Sequence, residues 1–196
     1  MTIPIELRTE RLLLRPWRAG DAAALHPILE ANWTHLGPWI PARVATPAPV
    51  PELAARLSGF EADFAADREW RYGMFSADTH EVLGEIGLYP RSARTRVAYR
   101  DADRVELGYW LRADCTGRGY VTEAARALIG VASLLPRVGC IEVRCDPRNT
   151  ASAAVPRRFG FTLAATVEDT DVQGVSSVLT QIWTLSLPAH GMIESR

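Results

Sequence analysis

The sequence predicts a single α/β or α+β domain of about seven strands and four helices. Three observations predict this class. The composition, 47% apolar and 23% charged in 196 residues, is that of an ordinary globular core. Segments with the two-residue alternation of strands are interleaved with segments of helical spacing. No repeat or linker divides the chain, so we assign residues 1–190 to one domain and residues 191–196 to a flexible tail.

The N-terminal third combines one strand with two helices. Arg11–Trp17 is apolar enough for a strand, and Asp21 is a suitable N-cap for a helix over Ala22–Ala31. Asn32–Pro51 holds two tryptophans and five prolines, which predicts an irregular loop with at most a short helical turn. Leucines and phenylalanines then recur at helical spacing in Glu52–Asp67, which predicts the second helix.

The middle of the chain is mostly strand. Arg71–Ser76 and Glu81–Tyr89 have the pattern of a hairpin around a short polar turn. Arg91–Arg104 is polar and contains five arginines, which predicts an exposed loop. Val105–Arg112 alternates cleanly, so Val105, Leu107, Tyr109 and Leu111 are expected on one face of a strand and Trp110 on the other.

The C-terminal part returns to alternating helices and strands. Helical spacing extends from Gly119 to Leu135, where Pro136 follows and ends it. We further predict a strand at Ile141–Cys145, a short helix at Thr150–Arg158, and two closing strands at Phe161–Val167 and Ser177–Leu187.

Composition also excludes several classes of function. The net charge is −1 and there is no basic run, so neither a nucleic acid nor an anionic membrane surface is an expected partner. No stretch approaches the length of a membrane span, and the N-terminus lacks a signal peptide, which predicts a cytoplasmic protein. Cys115, Cys140 and Cys145 lack the spacing of a metal site or a disulfide framework, so we expect free thiols and no metal.

The segment Cys115–Thr122 (CTGRGYVT) is the first candidate site. It joins the end of a strand to the start of a long helix through a Gly-x-Gly turn. The first N–H groups of a helix are unpaired and the helix dipole is positive there, which favours a phosphate. Gly117 and Gly119 allow the backbone to approach a phosphate closely, and Arg118 adds a positive charge. The local pattern is equally consistent with a plain tight turn, and it is neither a P-loop nor a Rossmann fingerprint.

Asn149 and Ser152 form the second candidate site, at the start of the short helix. Asn149 suits an N-cap, which is the more ordinary interpretation. If the strands at 105–112 and 141–145 are neighbours, however, their C-terminal ends open onto one crevice, the usual ligand site of such sheets.

Together these segments resemble the GCN5-related N-acetyltransferase (GNAT) superfamily, and specifically the Rim-type branch that acetylates the N-terminal α-amine of ribosomal proteins. The matching segments, in chain order, are Thr9-Glu10-Arg11-Leu12-x-Leu14-Arg15, His35-Leu36-x-Pro38-Trp39, Glu106–Leu111 (ELGYWL), Gly117–Ala124 (GRGYVTEA), Asn149-x-x-Ser152 and Phe159-Gly160-Phe161.

The resemblance implies a mixed, V-shaped sheet in which the strands at 105–112 and 141–145 splay apart to admit pantetheine. It implies acetyl-CoA as co-substrate, no metal, and direct transfer within a ternary complex. The implied cofactor-binding residues are Trp110, Leu111, Thr116, Gly117, Arg118, Gly119, Tyr120, Val121, Thr122, Asn149 and Ser152.

The resemblance also implies roles in the chemistry. Family members often protonate the departing thiolate with a tyrosine four residues after the position of Ser152, where this chain has Pro156. The Rim-type branch uses the serine, so Ser152 is the expected general acid. A backbone N–H near Trp110–Leu111 is expected to bind the developing oxyanion. Pro156 also lacks an N–H, which predicts a kink in the short helix.

The general base in that branch is a carboxylate that follows the sixth strand. Glu168, Asp169 and Asp171 lie in this stretch, and Asp171 fits the spacing best. Glu106 shares a strand face with Trp110 and is the competing candidate, although a structural hydrogen-bonding role explains it at least as well.

The expected acceptor is a primary amine, either a protein N-terminus or a small molecule. Trp33 and Trp39 would wall its binding site, although ordinary packing of loop aromatics explains them equally well. Dimers occur in the branch, so a homodimer is a further possibility. The alternative function is a non-catalytic acyl-CoA-binding or sensing domain, and a third is a structural module without a ligand.

Overall fold

A computed structural model describes residues 3–93, 95–170 and 177–188, with only the backbone of Thr170. Its strands are β1 (Leu7–Arg8), β2 (Leu12–Pro16), β3 (Trp70–Ser76), β4 (Val82–Arg91), β5 (Arg104–Leu111), β6 (Cys140–Cys145), β7 (Thr162–Thr170) and β8 (Ser177–Ser186). Its helices are α1 (Ala22–Leu36), α2 (Ala42–Ala45), α3 (Val50–Ala65), α4 (Tyr120–Ala132) and α5 (Thr150–Arg158).

The described strands form one mixed sheet in the order β1-β2-β3-β4-β5-β6-β8-β7. The pair β5–β6 is parallel and the other neighbouring pairs are antiparallel. The predicted single α/β domain is therefore confirmed. The strand β1 is the addition to the expected seven, since two residues are too few to show an alternating pattern.

The sheet opens between β5 and β6. These strands pair only where Arg104–Glu106 faces Cys140–Glu142. Beyond that point β5 stays paired with β4 up to Leu111, and β6 stays paired with β8 up to Cys145. The V shape that the resemblance implied is thus present, and Glu106 and Glu142 mark its apex.

Each face of the sheet has its own apolar core. Val105, Leu107 and Leu111 of β5 pack in the core that α4 and α5 cover. Trp110 packs in the other, with side chains from α1, α2 and α3. This division matches the alternation predicted for β5, because successive side chains of a strand point to opposite faces.

Two segments differ from the prediction. Helix α1 continues to Leu36 rather than stopping at Ala31. Asn32 explains the extension, since its side-chain nitrogen donates to the Ile28 carbonyl at 2.9 Å and its oxygen accepts from the Ala113 N–H at 2.8 Å. Helix α2, of four residues, is the short helical turn that the prediction allowed within the loop.

The arginine-rich segment 91–104 is the second difference. It was expected to be an exposed loop, but Arg91 closes β4 and is only 9% exposed. Its Nη1 lies 2.7 Å from Glu106, and Arg96 Nη1 lies 2.8 Å from Glu69. Glu106 on the neighbouring strand β5 and Glu69, just before β3, therefore draw these guanidinium groups inward.

Within the described ranges, no helix is both long enough and apolar enough to cross a lipid bilayer.

Candidate active site

A cleft of about 1210 Å³ occupies the opening between β5 and β6. It extends from the α4 N-terminus, past the α5 N-terminus, to the segment after α1. The residues proposed from the sequence that line it are Trp39, Glu106, Trp110, Leu111, Thr116, Gly117, Gly119, Tyr120, Val121, Thr122, Asn149 and Ser152. Segments far apart in the chain thus meet in a single site.

The glycine turn before α4 is built to bind an anion. Gly119 is the N-cap of α4 with φ +82°, and Gly117 has φ +73°. Such dihedrals strain any residue with a Cβ, so glycine is required at both positions. The N–H groups of residues 117–119 donate to no described residue, and the first turn of α4 adds further unpaired donors. A pyrophosphate fits this donor set.

The carboxylate of Glu123 in α4 connects this turn to the residues before β2. Glu123 accepts from the Arg11 N–H at 2.8 Å, from Arg11 Nε at 2.7 Å and from the Thr9 hydroxyl. Arg11 Nη1 also donates to the Arg118 carbonyl at 3.0 Å. The start of β2 is thereby tied to the turn. Sequence reasoning did not assign this role to Arg11 or Glu123, because the contacts span more than 100 residues.

Thr116 and Arg118 differ in their position relative to the cleft. Thr116 lines it, with its hydroxyl donating to the Ala113 carbonyl at 2.8 Å. Arg118 is not among the lining residues.

The start of α5 combines both interpretations of Asn149 and Ser152. Asn149 is the N-cap, and its side-chain oxygen accepts from the Ser152 N–H at 3.0 Å. Both residues also line the cleft. A cap of this kind is worth about 1 kcal/mol and fixes the first turn of the helix, and therefore the direction of the Ser152 side chain.

Tyr109 contacts Ser152 twice, and sequence reasoning missed it. Its hydroxyl donates to the Ser152 carbonyl at 2.9 Å and accepts from the Ser152 hydroxyl at 3.4 Å. Burial raises the pKa of Tyr109, so the phenol stays protonated at neutral pH.

Pro156 explains why Tyr109 is needed. In a helix the N–H of residue 156 would donate to the carbonyl four residues earlier, which is that of Ser152. Proline has no N–H, so the Tyr109 hydroxyl serves this carbonyl instead. Helix α5 nevertheless continues to Arg158.

The edge of β5 supplies the backbone donor that faces the opening. The Arg112 N–H donates to the Leu83 carbonyl at 2.9 Å. Backbone groups alternate in direction along an antiparallel pair, so the Trp110 N–H also points to β4, whereas the Leu111 N–H points toward β6. Of the proposed pair, Leu111 therefore presents its N–H to the gap.

Glu106 holds two guanidinium groups at the apex. One carboxylate oxygen lies 2.7 Å from Arg91 Nη1, and the other lies 3.4 Å from Arg96 Nη2. The side chain is 13% exposed. Both oxygens of this carboxylate are therefore engaged with arginines.

The remaining candidates fall in different places. Trp39 lines the cleft beside His35. Trp33 does not line it and is 37% exposed, and its ring lies against Gly37. Asp169 of β7 lines the cleft. Asp171 lies outside the described residues.

Cys115 and Cys145 are buried free thiols. Burial raises the pKa of the thiols of Cys115 and Cys145, which lowers the thiolate population at neutral pH. In the described ranges, no group of three or more His, Cys, Asp or Glu side chains is arranged to hold a metal ion.

Comparisons with known proteins identify relatives of this chain. The sequence is 25% identical over 183 residues to the [Ribosomal protein uS5]-alanine N-acetyltransferase of Escherichia coli, covering 92% of this chain and 91% of that protein. It is also 26% identical to the probable N-acetyltransferase YjcK of Bacillus subtilis. That match covers 54% of this chain and 55% of YjcK.

A solved structure shares the fold. RimL, described as a ribosomal L7/L12 α-N-protein acetyltransferase in complex with coenzyme A, superimposes with a TM-score of 0.77 at 19% identity. The match covers 95% of this chain and 98% of RimL. The sequence profile of the Acetyltransferase (GNAT) domain matches residues 11–162. The chain therefore belongs to the GNAT acetyltransferase family.

Proposed function

We propose that this protein transfers the acetyl group of acetyl-CoA to the N-terminal α-amine of a protein or peptide. As a GNAT protein it is an acetyl-CoA-dependent N-acetyltransferase. The observation that carries the cofactor assignment is the opening between β5 and β6 beside a glycine turn with unpaired N–H groups. The α-amine is proposed because a relative that aligns over 92% of this chain is described as an alanine N-acetyltransferase of a ribosomal protein.

The cofactor would lie along the cleft in a defined direction. The turn at residues 116–122 would hold the pyrophosphate through its N–H groups, of which those of residues 117–119 donate to no described residue. The pantetheine arm would follow the free edge of β5 past Leu111 and Trp110, with Asn149 and Ser152 on the opposite side. This orientation brings the thioester into the opening between the apex of the V and the end of β5, beside Ser152.

Different residues would assist different parts of the acetyl transfer. The acceptor nitrogen forms a bond to the acetyl carbon while the carbon–sulfur bond breaks, and the nitrogen proton passes to a base. The Leu111 N–H would stabilise the negative charge that develops on the carbonyl oxygen. Ser152 would donate its proton to the departing sulfur and regain one from solvent, giving the amide and free CoA.

We assign the base to Asp171, as the resemblance implies. An α-amine has a pKa of about 8, so a moderately basic group suffices. The pairing of Glu106 with two arginines favours the structural explanation for that residue.

Trp39 would form the wall that receives the acceptor, together with His35 from the end of α1. A small-molecule amine is the second acceptor class, because the same cleft geometry would admit one. A homodimer and a cytoplasmic location stay predictions, which light scattering and cell fractionation would test.

The test measures CoA thiol release from acetyl-CoA with hexapeptides that begin with alanine or serine. We expect release and a single acetyl group on the N-terminal nitrogen, located by fragmentation in the mass spectrometer. The same peptides with blocked N-termini are the matched control and should release nothing. Ser152→Ala should lower kcat about a hundredfold and leave the CoA dissociation constant within about twofold.

Three outcomes would contradict parts of this proposal. Release with small amines alone would move the acceptor to a small molecule. Tight CoA binding without release for any amine would mean a non-catalytic binding domain. No thermal stabilisation by CoA, where about 2.7 kcal/mol is expected at a hundredfold excess over the dissociation constant, would mean that the cleft holds another ligand.

A further inference from the structure

The wall of the cleft at the apex of the V carries more positive than negative charge. Four arginines line the cleft there: Arg71, Arg91, Arg96 and Arg144. Two glutamates, Glu85 and Glu106, line the same region. Neither the proposed base nor the proposed cofactor site uses these four arginines. Their presence in the cleft therefore needs another explanation.

Two ion-pair clusters account for only part of this charge. The first joins Arg71, Arg91, Arg96 and the half-exposed Arg43 to Glu69, Glu85 and Glu106, and the second joins Arg104 and Arg144 to Glu142 and the exposed Asp103. Water screens the charges of Arg43 and Asp103, whose side chains are 51% and 61% exposed. Without them, Arg104 and Arg144 share the one carboxylate of Glu142. Since charge held away from water without compensation is costly, the second cluster favours one more anion.

Three of these guanidinium groups have donors left for a ligand, whereas Arg71 has none to spare. Arg71 is 2% exposed and bonds to both Glu69 and Glu85. Arg144, in contrast, uses Nε and Nη2 on one oxygen of Glu142, at 3.1 and 3.0 Å, and its Nη1 has no partner among the described residues.

Arg91 and Arg96 share the single carboxylate of Glu106. Arg91 Nε is buried without a hydrogen-bond acceptor in the described part of the chain. Burial, and the nearby charges of Arg144 and Arg96, lower the pKa of Arg91, although Glu106 opposes this. Three like charges thus approach one another with only partial compensation.

The position of this cluster relates it to the acceptor. Glu106 and Glu142 are the last residues that pair across β5 and β6, so Arg144 begins the opening. By strand alternation, Glu106 and Arg144 share the sheet face that carries Trp110, the face covered by α1 and α2. An amine that meets the thioester from this face would have the three arginines beside it.

We propose that Arg91, Arg96 and Arg144 bind a carboxylate of the acceptor, carried close to the amine that is acetylated. The proposal rests on the proposed acetyl transfer to an amine. Charge-assisted, partly bidentate contacts of arginine with a carboxylate are stronger than neutral ones. The carboxylate is either an acidic side chain within the first two residues of a peptide or the α-carboxylate of a free amino acid.

The test compares kcat/KM within matched pairs of acceptors that differ only in charge. Two pairs are hexapeptides with Asp or Asn at the first or at the second position. The third pair is alanine and alaninamide. We expect about a tenfold or greater preference for the acid in at least one pair, and the pair concerned identifies the source of the carboxylate.

Variants connect the preference to the cluster. Arg144→Gln should reduce it to within about twofold, and Arg144→Lys should keep part of it. Arg148→Gln is the matched control, because Arg148 lines the same cleft but pairs with Asp146, and the preference should survive there. Thermal melting and CoA binding show whether each variant folds; if Arg144→Gln does not, Arg144→Lys and the wild-type ratios still decide.

Equal kcat/KM for acid and amide in all three pairs would overturn the carboxylate site while leaving the acetyltransferase assignment intact. A preference lost in Arg148→Gln but kept in Arg144→Gln would also overturn it. No product with any acceptor, despite CoA binding, would instead remove the proposed function and this inference together.

Discussion

The pairing of Tyr109 with Pro156 makes a prediction that a double-mutant cycle tests. Tyr109→Phe removes the 2.9 Å hydrogen bond to the Ser152 carbonyl. Pro156 has no N–H to take its place, so a partly buried carbonyl is left unpaired, at a cost of about 1–3 kcal/mol in the free energy of unfolding. The hydroxyl contact to Ser152 is lost as well, which should lower kcat more than it changes the KM for acetyl-CoA.

Pro156→Ala should compensate only when the tyrosine is absent. It restores an N–H that reaches the Ser152 carbonyl, and in the wild-type background that carbonyl already has a donor. The two substitutions should therefore be coupled by about 1 kcal/mol in urea denaturation of the four proteins. The general effect of removing proline from a helix cancels in the cycle.

Kinetic measurements on the same four proteins separate the role of Tyr109 in positioning Ser152 from its role in stability. Pro156→Ala in the Tyr109→Phe background should recover most of the stability but only part of kcat, because the hydroxyl that touches the Ser152 side chain is still missing. Additivity within about 0.3–0.5 kcal/mol, with unchanged kcat in Tyr109→Phe, would refute this account of how Ser152 is held.

Three further predictions concern the cofactor turn, the base and the buried charges. Gly119→Val should weaken CoA binding tenfold or more, measured by calorimetry, because a β-branched residue is strained at a φ of +82°. The control is Gly130→Ala, at an exposed position in α4. It should leave CoA binding unchanged and stabilise the folded protein by about 0.5–1 kcal/mol. Asp171→Asn should lower kcat with unchanged CoA affinity, while Glu106→Gln should mainly lower the melting temperature; the reverse result would make Glu106 the base. Burial alone would raise the pKa of Glu69, but its arginine partners lower it from 4.5 to about 2. The ionised carboxylate should therefore contribute on the order of 3 kcal/mol to the free energy of unfolding above pH 4.5, and this contribution should be lost as the pH falls toward 2. Urea titrations of wild type and Glu69→Gln should differ at pH 6 and converge at pH 2.

Elements with strong periodicity were predictable from the sequence. The alternation in β5 correctly divided its side chains between the two cores, because the strand is buried on both faces. The Gly-x-Gly turn was also predictable, since only glycine adopts its dihedrals without strain. The convergence of this turn with Ser152 required the topology that the resemblance supplied.

Long-range partners decided the parts that were mispredicted. Helix α1 extends to Leu36 through a bond between Asn32 and Ala113, 81 residues apart. Arg91 turns inward because Glu106 lies on the next strand. Tyr109 serves the carbonyl of Ser152, 43 residues away. No local pattern announces such contacts, because each depends on which strand becomes a neighbour.

A crystal structure of the protein with bound CoA would show whether the glycine turn binds the cofactor. We expect pyrophosphate oxygens within hydrogen-bond distance of the N–H groups of residues 117–121. We also expect the pantetheine arm between β5 and β6, with its sulfur near Ser152 and the Leu111 N–H. CoA bound elsewhere, or a turn at Gly117–Gly119 that does not contact its phosphates, would contradict the proposed site.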